Sequence, residues 1–285
     1  MLEQIKEAYS GLSKGQKAIA DFILNHYEEA AYMTAARIGK VTGVSESTVV
    51  RFATELGFAG FPHFQSRLRD DLRVNLTAAE RMRAVTHVIQ NEDDILGAVL
   101  VADRERLRRA YDQRDNAMFD RAVELILQAK RIYILGLRSS APLANYLNYY
   151  LNQIFADVRL VTANSASEIL EQLIPINKHD VLLALSFPRY ATRIVKALEF
   201  AKQAQAATIT ITDKGDNPFK QYSDCMLIAP SDMVAFVDAL TVPFSTVTAL
   251  IVALAIKRQD DLTEHLEVLE SIWQQSGVYE ISRDT

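Results

Sequence analysis

Three short stretches hold side chains whose types and spacing suit the recognition of an anion. The first is Ser45-Glu46-Ser47-Thr48 with Arg51. Ser45 is a good helix cap, and Glu46, Ser47, Thr48 and Arg51 then point outward from the helix it starts. An arginine there suits guanine, a glutamate can accept from cytosine, and hydroxyls suit bases or phosphates. Lys40, one turn earlier, and Ser45 itself are placed to meet phosphates. The second stretch is Gly136-Leu137-Arg138-Ser139-Ser140, and the third is Ser186-Phe187-Pro188-Arg189-Tyr190-Ala191-Thr192. Each lies between a β-branched apolar run and a helical segment. Gly136, Ser139, Ser140, Ser186, Arg189 and Thr192 thus form a candidate anion site, with hydroxyls, helix-start amides and a guanidinium capable of bidentate contact.

Groups for catalysis are sparse. A sugar-phosphate isomerase or lyase needs a general base beside the substrate carbon. Glu168, Glu171 and His179 are the candidates, each with a blander reading as a solvated helix face or a turn. The five histidines (26, 63, 87, 179 and 265) have no metal-ligand spacing, and no catalytic triad or P-loop appears. The single cysteine, Cys225, sits in the apolar run DCMLIA and reads as core. No catalytic residue, metal or cofactor is assigned.

The elements that must position these residues follow from periodicity. At ~100–200 residues per domain, 285 residues make two domains. Ser13 caps an amphipathic helix through Asn25, carrying Ala18, Ile19, Phe22 and Ile23 on one face. Thr34 caps a second helix, with Ile38 and Val41 inward and Gly39 where a neighbouring helix must come close. Gly43 supplies a tight turn, Val44 plugs it, and Val49, Val50, Phe52 and Leu56 face inward from the next helix. This is a helix-turn-helix at 35–52. Phe58 and Phe61 fold back onto its core, and Pro62 opens a helix to Asn75 whose Arg67, Arg69 and Arg73 face phosphates or solvent. Nine Lys/Arg against nine Asp/Glu over residues 1–76 mean that any basic face comes from clustering.

Residues 76 to 112 read as a polar helical connection, flexible near 75–82, and Asn116 to Lys130 as a helix. The period then changes. RIYILG, DVRLVT, DVLLALS, ATITIT and DCMLIA are five short strands. Helical segments separate them at 142–155, 165–173, 192–204 and near Pro218, and two helices end the chain. Alternating strand and helix predicts a doubly wound α/β domain with a five-stranded parallel sheet, where ligands bind beyond the carboxyl ends of the strands. The boundaries expected are 1–76 for an all-α helix-turn-helix domain, 77–114 for a helical linker and 115–285 for the α/β domain. Ala239 to Ile256 carries no charge and reads as a core or subunit-interface helix rather than a membrane span. The start of the chain lacks a signal peptide's basic and apolar pattern. The net charge of −5 leaves nucleic-acid binding to a local patch.

Residues 12–72, through LSKGQKAIADFILNH, GVSESTVVRFATELGFAGFPHF and the helix after them, resemble the N-terminal domain of RpiR-type bacterial transcription regulators. Residues 120–256 are similar to the SIS (sugar isomerase) domain that follows in that family. The resemblance implies a cytoplasmic, homodimeric or homotetrameric regulator that binds a double-stranded DNA operator and senses a phosphorylated sugar or related anion. Such domains commonly carry Gly-x-Gly-x-Ser after the first strand and Ser-x-Ser-Gly-x-Thr after the third. Here the second glycine of the first motif is replaced, and in the second motif Pro188, Arg189 and Ala191 stand at the Ser, Gly and Thr, so that only Ser186 is kept. The rewritten loop implies an altered small anion. An enzyme of the SIS fold and a structural scaffold are the competing readings.

Overall fold

The structure is a computed structural model that describes residues 1–75, 79, 94–162, 165–231, 233–234 and 237–278, with the backbone alone at 28, 70–75, 233 and 234. The chain forms two compact units, Met1–Ala102 with Asp232–Ala239, and Asp103–Ser231 with Leu240–Thr285.

The first unit opens with helices α1 (Leu2–Ala8), α2 (Lys14–Asn25) and α3 (Tyr27–Ala30). It continues with α4 (Ala35–Thr42), α5 (Glu46–Glu55) and α6 (Phe61–Asn75). Local chemistry sets their ends. Ser13 accepts from the amide of Gln16 while the Gln16 side chain accepts from the Ser13 amide, a reciprocal cap at the start of α2. Thr34 and Ser45 cap α4 and α5 by accepting from Arg37 N and Thr48 N. Ile19, Ile23, Ile38, Val49, Phe52 and Phe64 meet in one fully buried core. Phe61 is buried in it and Phe58 packs edge-on against Phe64, with ring centroids 5.5 Å apart.

Two apolar residues depart from the expected inward placement. Val41 is 55% exposed and Val50 is 39% exposed. The core stripes of α4 and α5 are narrower than a 3.6-residue period permits, because each helix is buried on one side only. Residues 76–78 and 80–93 of the polar connection fall outside the described residues. Its described end is α7 (Ile95–Asp112), and the expected flexibility near 75–82 lies mostly outside.

The second unit is built on β1 (Arg131–Gly136), β2 (Val158–Val161), β3 (Asp180–Leu185), β4 (Ala207–Thr212) and β5 (Cys225–Ile228). All pairs are parallel, in the order β2-β1-β3-β4-β5. Helices α8 (Asn116–Gln128), α9 (Ala141–Ile154) and α12 (Thr241–Lys257) cover one face. Helices α10 (Ala166–Leu173) and α11 (Thr192–Gln203) cover the other. Along β1, Ile132 and Ile134 enter the first core and Tyr133 and Leu135 the second, as the two-residue period of a doubly covered strand requires. In the chain, α12 is preceded by a short hairpin that belongs to the first unit, β6 (Met233–Val234) with β7 (Val237–Asp238), and is followed by α13 (Gln259–Ser276).

The helix expected near Pro218 is instead a turn over residues 218–222. Asn217 explains it: its side chain accepts from Phe219 N and donates to Lys214 O, bonds that favour a turn over a helix. Cys225 is buried, and burial pushes its thiol up to about 11, far from a reactive thiolate. Among the described residues no single helix is long and apolar enough to cross a membrane; α12 and α13 reach that length only together and are bent by 100°.

At the amino edge of the sheet, Asp157 accepts from Arg131 at 2.7 Å and from Arg159 at 3.0 Å. The Arg131 guanidinium is the larger of the causes that hold the Asp157 carboxyl below the usual carboxylate range; burial opposes it and Arg159 assists. A depressed folded-state value stabilises above the unfolded value of ~3.9, and that contribution is lost as pH falls through the folded value. Asp157→Asn should therefore lower stability at pH 7 by ~0.2–1 kcal/mol, the range of a half-exposed pair. Its thermal-melting curve should converge on that of the parent below pH 3 or so. A deficit that persists undiminished in acid would assign the effect to something other than the charge.

Candidate DNA-reading helix and anion site

The approach of α4 to α5 depends on a missing side chain. A Cβ on Gly39 would lie 2.8 Å from Val44 O and 3.3 Å from Glu46 N. Gly43 ends α4 in the left-handed conformation, φ 71° and ψ 25°, and its amide bonds to Gly39 O. Val44 N bonds to the same carbonyl at 2.9 Å, and Val44 packs against the core. The turn is therefore short and its angle fixed.

On α5, Glu46, Ser47, Val50, Arg51, Thr54 and Glu55 are exposed, while Val49, Phe52 and Ala53 are buried. The expected outward residues thus share one face, with Lys40, Arg37 and Val41 exposed on α4. Thr48 is half-buried, and its hydroxyl lies 2.8 Å from that of Ser45, which also lies 2.8 Å from that of Ser47. Three hydroxyls are gathered at the start of α5, where the helix dipole favours a phosphate. Arg51 Nε donates to Ser47 O at 3.3 Å, which lays the guanidinium along the exposed face. Sequence reasoning missed Val50 and Thr54 on this face. Their outward position follows from Val49 and Phe52 being the buried pair, and a valine there suits a thymine methyl. On α6, Arg67 is exposed and Arg69 Nη2 donates to Gln65, and the side chain of Arg73 lies outside the described residues.

The second constellation lies at the carboxyl edge of the sheet. β1 and β3 are neighbours and Gly136 pairs with Leu185, so the loops that follow them start side by side. After β1 the chain turns at once into a 3-10 turn, Arg138–Ser140, and then α9. A Cβ on Gly136 would fall 2.7 Å from Ser140 O and 2.8 Å from the Cβ of Ala144, so the turn closes onto the strand end only because residue 136 is glycine. Arg138 adopts φ 56°. Ser140 is buried, and Ser139 and Arg138 are exposed.

After β3, Ser186 is 3% exposed, and its amide bonds to Ile211 O of β4. Phe187 enters the core, Arg189 and Thr192 are exposed, and Thr192 starts α11. Tyr190 anchors the loop. Its hydroxyl donates to Asp213 Oδ1 at 2.8 Å, and its ring meets Phe219 edge-on at 5.3 Å. Gly136, Ser139, Ser140, Ser186, Arg189 and Thr192 therefore all come to one edge. Sequence reasoning did not single out Arg138, Tyr190 and Asp213. For the first the available signal was an arginine in the same loop as Ser139. The Tyr190–Asp213 pair joins residues 23 apart and has no local signal.

The groups considered for catalysis divide between the two edges: Glu168 lies in the first turn of α10, which follows β2 and starts at the carboxyl edge. His179 immediately precedes β3, at the amino edge, opposite these loops. Glu168 and Glu171 are exposed on α10. Among the described residues no three His, Cys, Asp or Glu side chains are gathered as a metal site.

Residues 1–75 match the family model described as a helix-turn-helix domain of the rpiR family, and residues 125–253 match that of the SIS domain. An uncharacterized HTH-type transcriptional regulator of Clostridium perfringens is 26% identical over 236 residues, 83% of this chain and 84% of that protein. The HTH-type transcriptional regulator HexR of Pseudomonas aeruginosa is 24% identical over 275 residues, 93% of each. Among solved structures, the sugar isomerase domain of an RpiR transcription factor from Sphaerobacter thermophilus superposes with a TM-score of 0.60. It is 22% identical and covers 63% of this chain and 99% of that one. The Vibrio vulnificus NanR protein complexed with ManNAc-6P gives a TM-score of 0.57 at 20% identity, covering 95% of this chain and 98% of that one.

Proposed function

Because the chain belongs to the RpiR-type transcription regulators, joining an rpiR-family helix-turn-helix domain to a SIS domain, we propose that it binds a DNA operator through α5 and is switched by a small anion, a phosphorylated sugar or related metabolite, at the carboxyl edge of its sheet. One observation supports the reading: a single chain holds a helix-turn-helix with an exposed polar face and a parallel sheet whose paired strands β1 and β3 lead into the loops of Ser140, Ser186 and Arg189. Residues 1–76 serve as the DNA-binding domain, 77–114 as the helical connection and 115–285 as the effector and oligomerisation domain. Ser47, Thr48, Arg51 and Glu46 are the base-contacting set, and Ser45 and Lys40 the phosphate contacts. The effector is held by Gly136, Ser139, Ser140, Ser186, Arg189 and Thr192. The protein acts in the cytoplasm as a homodimer or homotetramer, with two α5 helices in successive major grooves ~34–36 Å apart or a multiple of that. It is not an enzyme: the relatives above are named as regulators, and His179 stands at the far edge of the sheet. An anion that binds one dimer geometry better than another shifts the population toward it, and with it the half-site spacing that the dimer fits.

The test is release. Full-length protein bound to its operator, followed by fluorescence anisotropy, should let go or tighten when phosphorylated sugars are titrated in, and inorganic chloride at equal ionic strength should not reproduce it. Insensitivity to every phosphorylated sugar would remove the sensing half of the proposal. For the reading half, Arg51→Ala should cost ~1–3 kcal/mol and relax preference at one base pair of each half-site. An equal loss across all sequences would reassign Arg51 to a phosphate.

A further inference from the structure

Two neighbouring helices of the second unit face solvent without charge. α9 (Ala141–Ile154) contains no Asp, Glu, Lys or Arg, and α12 (Thr241–Lys257) contains only Lys257, its last residue. Charged residues make up 24% of the whole chain, so two helices buried on one side should carry several on the other. What they expose instead is Asn145, Tyr149 and Asn152 on α9, and Ser245, Val252 and Ile256 on α12. Each set recurs at helical spacing and so forms one stripe. Tyr149 is 56% exposed, Val252 50% and Ile256 66%.

The two stripes make one surface. The Tyr146 ring meets that of Phe244 edge-on at 5.6 Å and its hydroxyl lies 3.4 Å from that of Thr248, which joins α9 to α12. Tyr150 continues the row to Tyr149, with ring centroids 5.0 Å apart at each step. The polar members bond within their own helices. Asn145 and Asn152 donate to Ala141 O and Asn148 O, each at 2.8 Å, and Ser245 donates to Thr241 O at 3.0 Å. Covering them therefore strands fewer polar groups than covering fully hydrated side chains would.

Charge decides what covers this surface. A two-fold contact sets a patch against itself, so every charge in it meets its own kind. A surface without charges pairs with its copy at no such cost. α13 shows the contrast. It exposes Val268 and Ile272, yet it carries Asp260, Asp261, Glu264, Glu267 and Glu270 and no Lys or Arg. Two copies meeting there would set carboxylates against carboxylates.

We propose that a second copy of this chain docks on the α9–α12 face in a two-fold contact that includes Tyr149 and Val252. The inference rests on the homo-oligomeric part of the reading above and assigns it a surface. That surface adjoins the anion site, because α9 begins at Ala141, directly after Ser139 and Ser140. An anion held by those serines bears on the first turn of an interface helix.

Sedimentation velocity of the full-length protein tests it, at about 10 µM because assembly depends on protomer concentration. The parent should sediment as a dimer or tetramer. Val252→Glu should sediment at half the parent's mass, its dissociation constant raised about a hundredfold or more, because two carboxylates then oppose each other in the contact. Tyr149→Glu, on the other helix, should do the same. Val268→Glu on α13 adds the same charge and should keep the parent's mass. The parent's mass kept by Val252→Glu or by Tyr149→Glu, or lost equally in Val268→Glu, overturns the inference and leaves the homo-oligomeric reading standing. A parent that sediments as a monomer takes both down.

Discussion

Gly39→Val will abolish operator binding. The added Cβ would lie 2.8 Å from Val44 O and 3.3 Å from Glu46 N, and both are backbone atoms of the turn and of the first residue of α5. A flexible side chain could move aside at small cost; a capped helix start cannot. Overpacking of this kind costs ~1–3 kcal/mol even where neighbours adjust, and here adjustment means tilting α5, so its exposed face would no longer meet a groove. Misplacement by about an ångström removes bidentate base contacts outright, and each of those is worth ~1–3 kcal/mol. We expect at least a hundredfold loss in operator affinity, of order 2.7 kcal/mol, with the far-UV spectrum of the sheet-containing unit unchanged. Gly43 supplies the control. Its need is conformational, at φ 71° with no atom within 4 Å of a Cβ, so Gly43→Asn, which tolerates the left-handed region, should bind nearly as the parent does. A Gly39→Val protein that binds the operator normally would mean that α4 and α5 do not act as a rigid pair.

Arg189→Ala will uncouple sensing from binding. The side chain is exposed, and buried Phe187 and the Tyr190–Asp213 hydrogen bond hold its loop on either side, so the fold should survive the change. Hydrogen bonds to a charged group contribute ~1.5–3 kcal/mol, and a bidentate pair stands at the upper end. The effector concentration needed for half-maximal response should rise about 10- to 150-fold, while affinity for the operator without effector stays within about twofold of the parent. A variant that responds over the same concentrations as the parent would exclude Arg189 as a ligand.

Much of this architecture is legible along the chain because it rests on short-range chemistry. The Ser13–Gln16 cap, the hydroxyl caps at Thr34 and Ser45 and the glycine turn at 43 are all contained within four residues. The five strands announce themselves because a doubly covered parallel sheet is apolar on both faces. Distance along the chain marks where legibility ends. Val41 and Val50 lie within reach of an inward stripe by periodicity, and only the tertiary packing shows which side of each helix the core covers. The turn at 218–222 looks helical by composition, and the Asn217 side chain decides otherwise. At the anion site the individual loops are readable, and their meeting at one edge follows from the strand order. The tie from Tyr190 to Asp213 and the left-handed backbone at Arg138 belong to the folded loops and leave no pattern in the sequence.

The central claim is that this chain reads a DNA sequence, and selection tests it most directly. Full-length protein would be mixed with sheared genomic fragments at about 0.15 M salt, and the recovered DNA sequenced. The account predicts enrichment of an inverted repeat whose half-site centres are ~10–10.5 base pairs apart or a multiple of that. It also predicts that Arg51→Ala relaxes one position of each half-site. Recovered fragments indistinguishable from the input would contradict it, whatever anion the sheet edge binds.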